Sequence, residues 1–259
     1  AGAGLATFLS NCVACVYFFV LLRVRRKTTF VCINPEKFSL QKYIVLGVCA
    51  VGIPAAIQNL LNVTGMTILN NFTSSYGAQA VAAMGITQKI NMVPLQVAMG
   101  FSQGIMPLIS YNYASGNHRR MKETIFFTIK TLLPFLVVVS LGYFAGAGLL
   151  TRAFMDNEAI VAYGTRFLRG FCLGLPFLCM DFLAVGVFQA VGMGKAALSF
   201  AILRKIVLEI PALYLLNLLF PLYGLSYAQL VAELVLSIAS VIMLARIFRR
   251  MQREDGASS

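Results

Sequence analysis

The chain has 259 residues, of which 59% are hydrophobic and 12% charged, with a formal net charge of +12. Its mean hydropathy of +0.81 sets it apart from the usual soluble mix of about 45–50% apolar and 25% charged residues, which excludes an ordinary soluble domain. The basic residues cluster between apolar runs and not on a face interleaved with stacking aromatics, so the composition argues for the lipid bilayer and against nucleic acid as a partner.

A bilayer core about 30 Å thick needs roughly 20 apolar residues per helix. Turn residues divide the chain into seven such runs, near 3–22, 43–71, 79–113, 124–150, 159–190, 196–220 and 224–248. The expected fold is all-α, a polytopic membrane helical bundle with seven transmembrane helices. Pro54, Pro94, Pro107, Pro134, Pro176 and Pro211 fall inside the runs, so kinks are expected, their freed carbonyls satisfied within the protein.

The first run holds Cys12 and Cys15 in a C-x-x-C spacing. With no second pair or histidine nearby, they read as small buried hydrophobes and not as a metal or redox site. The run starts within a few residues of Ala1 and lacks the basic region and cleavage pattern of a signal peptide, so the chain reads as a fragment of a longer protein. A basic linker, 23–42, follows.

In the second run Asn59, Asn62, Met66 and Asn70 follow spacings of three, four and four, which places them on one side of a helix. Their amides suit a cation or a polar ligand, or bonds between helices. The third run carries two seven-residue repeats, Lys89, Gln96, Gln103 and Ser110 beside Met92, Met99 and Met106. At 3.6 residues per turn these are adjacent stripes about 60° apart. Polar groups beside flexible methionines make an adaptable cleft surface, with helix packing as the plainer alternative. The run gives way at Ser115-Gly116 to the basic "NHRRMK", read as a loop.

Charged residues inside spans default to function or to charge balance. At 1.5 Å per residue, Lys89, Arg169 and Glu233 lie roughly 14–16 Å from the outer ends of their runs, and Glu209 is about midway along its own, so the four suggest one shared level. Asp181 and either Arg204 or Lys205 lie roughly 12–14 Å from their inner ends and are placed to pair across adjacent helices. Lys130, near a helix end, is expected to snorkel. Asp181, Glu209 and Glu233 are thus the candidates for coupling to a cation, and Lys89, Arg169, Arg204 and Lys205 their charge partners.

Lys and Arg counts orient the chain. One set of alternate connections holds Arg23, Arg25, Arg26, Lys27, Lys37, Lys42, Arg119, Arg120, Lys122, Lys195, Arg246, Arg249, Arg250 and Arg253, and the other holds Arg152. The positive-inside rule puts the C-terminus in the cytoplasm and the chain in the inner (plasma) membrane as a multi-pass protein. No enzyme is expected. His118, the single histidine, lies in the "NHRRMK" connection, and neither a metal-ligand cluster nor a nucleophile motif stands out.

The run "VAAMGITQKINMVPLQVAMGFSQGIMPLISYNYASGNHRRMKE" at 81–123 resembles the eighth helix and following loop of transporters of the multidrug and toxic compound extrusion (MATE) family, in its bacterial drug-efflux branch. "GLPFLCMDFLAVGVFQAVGMGKAA" at 174–197 is similar to the tenth helix, "ALSFAILRKIVLEIPALYLLN" at 197–217 to the eleventh, and "GAGLATFLSN" at 2–11 to the start of the sixth. The resemblance implies the last helix of an N-terminal lobe (1–22), the inter-lobe linker (23–42), a six-helix C-terminal lobe (43–250) and a cytoplasmic tail (251–259). It further implies a secondary antiporter that exports drug-like organic cations in exchange for sodium ions or protons. The coupling ion would take the place of any other cofactor, and the missing N-terminal lobe would be the partner across a cleft.

The cleft side of this half would include Asn59, Asn62, Met66, Gln96, Met99 and Gln103. Glu233 matches an acidic position common on the last helix, and Asp181 lies within about a turn of the family's helix-ten aspartate. Where some members have an essential glutamate on helix seven, this chain has Gln58, Asn59 and Asn62. The alternative reading of seven spans is a membrane receptor or signalling scaffold.

Overall fold

The computed structural model describes residues 2–25 and 40–257, so most of the expected linker, with Arg26, Lys27, Lys37 and Cys32, lies outside the described residues. Two compact units divide the chain, Ala1–Cys49 and Ala50–Ser259. The first contains α1 (Gly2–Val24) and the opening residues of α2 (Lys42–Ser74). Cys12 and Cys15, expected to be buried, are exposed thiols on α1.

The second unit takes up α2 from Ala50 and continues with α3 (Ala78–Ala114), α4 (His118–Phe154), α5 (Glu158–Cys172), α6 (Leu175–Ala190), α7 (Gly194–Ile202), a π-helical segment (Leu203–Glu209), α8 (Ile210–Leu219) and α9 (Gly224–Ala257). The described residues are therefore all helical apart from their short connections. Five helices are long and apolar enough to cross a membrane, or six if α5 and α6 form one bent span. The path α7, π-segment and α8 is also continuous, with helical dihedrals at Ile202, Leu203 and Ile210.

Three boundaries differ from the expected runs, each for a local reason. The basic stretch "HRRMK" is not a loop but the first turn and a half of α4. Asn117 caps it by accepting the Arg120 backbone N–H at 3.2 Å, Arg119 pairs with Glu123 at 3.0 Å, and the connection shrinks to Ser115–Asn117, with Gly116 at a φ of 71° that favours glycine. The fifth run is two helices bent by 48°, because Pro176 cannot donate to the preceding turn. At the C-terminus α9 continues through Ala257, so most of the expected tail is helical.

Two helix breaks are repaired from α4. Pro176 leaves the carbonyl of Cys172 without its helical donor, and Ser140 donates its hydroxyl to that carbonyl at 2.7 Å. Pro94 likewise frees the carbonyl of Ile90, which accepts from the Tyr143 hydroxyl at 3.3 Å. In a bilayer no water is at hand to satisfy such groups, so internal partners are required.

Packing is closest among α3, α4, α5 and α6, and between α9 and both α6 and α8. One apolar cluster gathers Ile109, Met121, Ile125, Leu183, Phe188, Phe200 and Leu236. Another gathers Leu69, Met84, Ile160, Phe167, Phe171, Leu213 and Leu225. Lipid tails are as apolar as these side chains, so close packing and small residues hold the helices together. A Cβ on Gly186 of α6 would overlap Ser102 Oγ of α3, and Ser102 donates to the Phe182 carbonyl at 2.7 Å. This contact presses α6 against α3 within two turns of Asp181.

Candidate functional site

The most concentrated chemistry in the second unit is an ionic cluster buried among α6, the π-segment and α9. Arg204 Nη1 lies 3.0 Å from Asp181 Oδ2, and its Nη2 stands 2.6 Å from Glu233 Oε1. All three residues are buried, Glu233 completely. The next residue, Lys205, pairs with Glu209 one turn on, at 2.7 Å, and the pair lies within electrostatic reach of Asp181. The Arg204 guanidinium also sits over the Phe182 ring, 5.5 Å from its centroid.

The π-segment brings both cations to the cluster. The Ile210 N–H bonds to the Lys205 carbonyl, five residues back, and Pro211 next to it has no N–H to offer the turn before. A π-bulge inserts an extra residue into the helix and is frequent at functional sites. Here it lies across Arg204, Lys205 and Glu209.

On the side of α2, Gly65 makes room. A Cβ there would stand 3.2 Å from Lys205 Cδ and Nζ and 3.4 Å from Glu209 Oε1, so any larger residue would crowd this ion pair. Gln58 and Asn62 of α2 join Asp181, Val185, Ala201, Arg204 and Lys205 around a cavity of about 10 Å³, near the 10–15 Å³ that one water requires on this measure. Gln189 Nε2 donates to Gln58 Oε1 at 3.4 Å. Asp181 Oδ1 and Glu233 Oε2 have no hydrogen-bond partner among the described residues.

Three carboxylates thus meet two cations. Fully ionised, the cluster carries an excess of one negative charge, and a buried charge without a partner is strongly unfavourable. One added monovalent cation, a proton or a metal ion, would balance it.

Of the other residues singled out in the sequence, Gln58 and Asn62 border the cavity of this cluster and the rest lie apart from it. Lys89 is exposed on α3 and makes no ion pair among the described residues. Arg169 turns to α4, where Nε donates to the Phe144 carbonyl at 3.2 Å and the guanidinium lies 5.3 Å from the Phe144 ring centroid. Lys89 and Arg169 therefore do not join Glu209 and Glu233 as the shared level required, because equal depth does not make helix faces meet. Asn59, Asn62, Met66, Gln96 and Gln103 are exposed, Met99 half-buried, so the amide face of α2 and the polar stripe of α3 stay uncovered within this unit. Sequence reasoning missed Gly65, the Ser102–Gly186 contact and the hydroxyls of Ser140 and Tyr143. For the last two a signal existed, since each freed proline carbonyl calls for a donor.

Comparison with known proteins agrees with this architecture. The MatE family profile matches residues 54–215. The multidrug export protein MepA of Staphylococcus saprophyticus is 33% identical over 244 residues, covering 94% of this chain and 53% of that protein. The chain thus spans about half the length of the curated relatives it matches. Among solved structures, the Vibrio cholerae MATE transporter VcmN in its bent form aligns with a TM-score of 0.78 at 18% identity, over 89% of this chain and 52% of that one. A multidrug resistance MATE family transporter in an outward-facing conformation aligns with a TM-score of 0.85 at 20% identity, over 95% and 55%. None of these similarities favours the receptor alternative. With the family profile over more than half of its length and this fold, the chain belongs to the MatE family, whose members are transporters and not enzymes.

Proposed function

We propose that this chain acts as the C-terminal lobe, with one preceding helix, of a secondary antiporter that exports drug-like organic cations in exchange for sodium ions or protons. The observation that carries the reading is the buried cluster of Asp181, Arg204, Glu233, Lys205 and Glu209, one negative charge in excess, beside the Gln58 and Asn62 amides. An antiporter needs a site whose charge changes when the driving cation binds, and a conformational change can be driven only by a ligand that favours one state over the other. A cluster that one cation would neutralise has that property.

The uncovered polar face supports the same reading. Lys89, Gln96, Gln103 and Ser110 are all exposed along α3, and polar groups at membrane depth face protein or water and not lipid. A second lobe across a cleft would supply both, with Asn59, Asn62, Met66, Gln96, Met99 and Gln103 on the substrate side. The name of the MepA relative, a multidrug export protein, fits this choice of substrate. The orientation that goes with it is an inner-membrane protein whose C-terminus is cytoplasmic.

The test is transport in proteoliposomes by the complete two-lobed protein. Efflux of a fluorescent organic cation such as ethidium should follow an imposed sodium or proton gradient and stop when the gradient is collapsed. Efflux indifferent to both gradients would overturn the antiport reading.

A further inference from the structure

A second feature of the lobe is independent of the transport reading. Between α4, α6 and α9 runs an apolar groove of about 400 Å³, lined by Leu133, Pro176, Phe177, Met180, Ser237 and Ile238 and continued along α9 by Val241 and Ile242. Ile238, Val241 and Ile242 are 48–60% exposed. The groove begins where α5 gives way to α6, in the middle of the bundle, and descends toward the end of the lobe that holds the start of α4 and the last turns of α9.

That end is basic. The Phe126 and Phe248 rings stack at 6.5 Å across α4 and α9, and Lys122 Nζ lies 5.4 Å from the Phe248 ring centroid. On α9, Ile238, Ile242, Arg246 and Arg249 follow spacings of four, four and three, so they share one stripe. On α4, Phe126, Lys130 and Leu133 do the same. Arg246, Arg249 and Lys130 are exposed. Glu123, the acidic side chain nearest this end of α4, is already engaged by Arg119. From Ile242 to Arg249 the helix rises about 10 Å, so an apolar slot at acyl-chain depth leads directly to cations at headgroup depth.

We propose that this groove binds one anionic phospholipid from the leaflet at that end, with an acyl chain in the slot and its phosphate held by Arg246, Arg249 and Lys130. Apolar lining selects the chain, and the basic rim selects the charge of the headgroup, as basic pockets at membrane surfaces do.

The test uses the purified chain in detergent, with dioleoyl phosphatidylglycerol, dioleoyl phosphatidylcholine or inorganic phosphate added, read by native mass spectrometry and by the thermal unfolding midpoint. One phosphatidylglycerol should be retained and raise the midpoint. Phosphatidylcholine, with the same chains, should bind about tenfold more weakly, and phosphate alone should do nothing. Ile238→Trp, at an exposed position, should fill the slot and abolish retention with the charges intact. The triple variant Lys130→Ala/Arg246→Ala/Arg249→Ala should bind the two lipids alike. Equal binding of both lipids to the unaltered chain, a shift produced by phosphate alone, or undiminished phosphatidylglycerol retention in folded Ile238→Trp would overturn the proposal. If Ile238→Trp fails to fold, the triple basic variant decides: retained preference for phosphatidylglycerol there refutes it. Displacement of the lipid by ethidium would make the groove a substrate path and also refute it.

Discussion

Tyr143 on α4 donates its hydroxyl to Ile90 on α3, to the carbonyl that Pro94 leaves without a helical partner, at 3.3 Å. One turn earlier Ser140 serves the Cys172 carbonyl at 2.7 Å, so one face of α4 repairs two breaks. Tyr143→Phe and Ser140→Ala should each destabilise the folded lobe by about 0.5–1.5 kcal/mol. Ser140→Ala should have the larger effect, because its bond is shorter and its carbonyl more deeply enclosed. Unfolding of the purified variants in mixed micelles reads this directly.

The prolines show what was legible in the sequence and what was not. Kinks with internally satisfied carbonyls follow from composition and the bilayer, whereas the donors depend on which helix face meets the break. Depth arithmetic placed Asp181 level with Arg204 or Lys205, and it is Arg204 that stands 3.0 Å away. The same arithmetic placed Lys89, Arg169, Glu209 and Glu233 together, yet Lys89 and Arg169 stand apart from the two acids, since depth is one coordinate and rotation about the helix axis another. The π-segment was invisible for a related reason: an inserted residue changes rotation without changing composition.

Arg204 satisfies two acids at once, so its loss should be severe. Arg204→Ala leaves Asp181 and Glu233 without their cation and should lower stability by about 3–5 kcal/mol. Joint replacement by neutral residues of similar size, Asp181→Asn, Arg204→Met and Glu233→Gln, should recover most of the folded yield while leaving transport impaired. Fluorescence-detected size exclusion of the single and triple variants separates these outcomes. A single variant as stable as the unaltered chain would mean that the ion pairs contribute little.

Gly65 predicts a steric effect on the same cluster. In Gly65→Ala the new methyl would meet Lys205 at 3.2 Å, which the flexible lysine can relieve by shifting. Gly65→Leu cannot be accommodated that way and should cost about 1–3 kcal/mol through overpacking. Thermal midpoints should fall in the order glycine, alanine, leucine.

The exposed stripe of α3 yields a prediction about specificity. Replacing Gln96, Met99 or Gln103 with Ala in the two-lobed protein should change which compounds are exported while expression holds. A uniform fall for every compound that follows the amount of folded protein would instead assign these side chains to packing.

The central claim is that a carboxylate of the buried cluster takes part in cation coupling, and gradient-driven efflux by proteoliposomes carrying Asp181→Asn, Glu209→Gln or Glu233→Gln measures it most directly. At least one of these changes should abolish the response to the ion gradient while equilibrium binding of the exported cation remains measurable, because binding can survive the loss of coupling. Unaltered gradient-driven efflux in all three variants would contradict the account and remove coupling from this lobe.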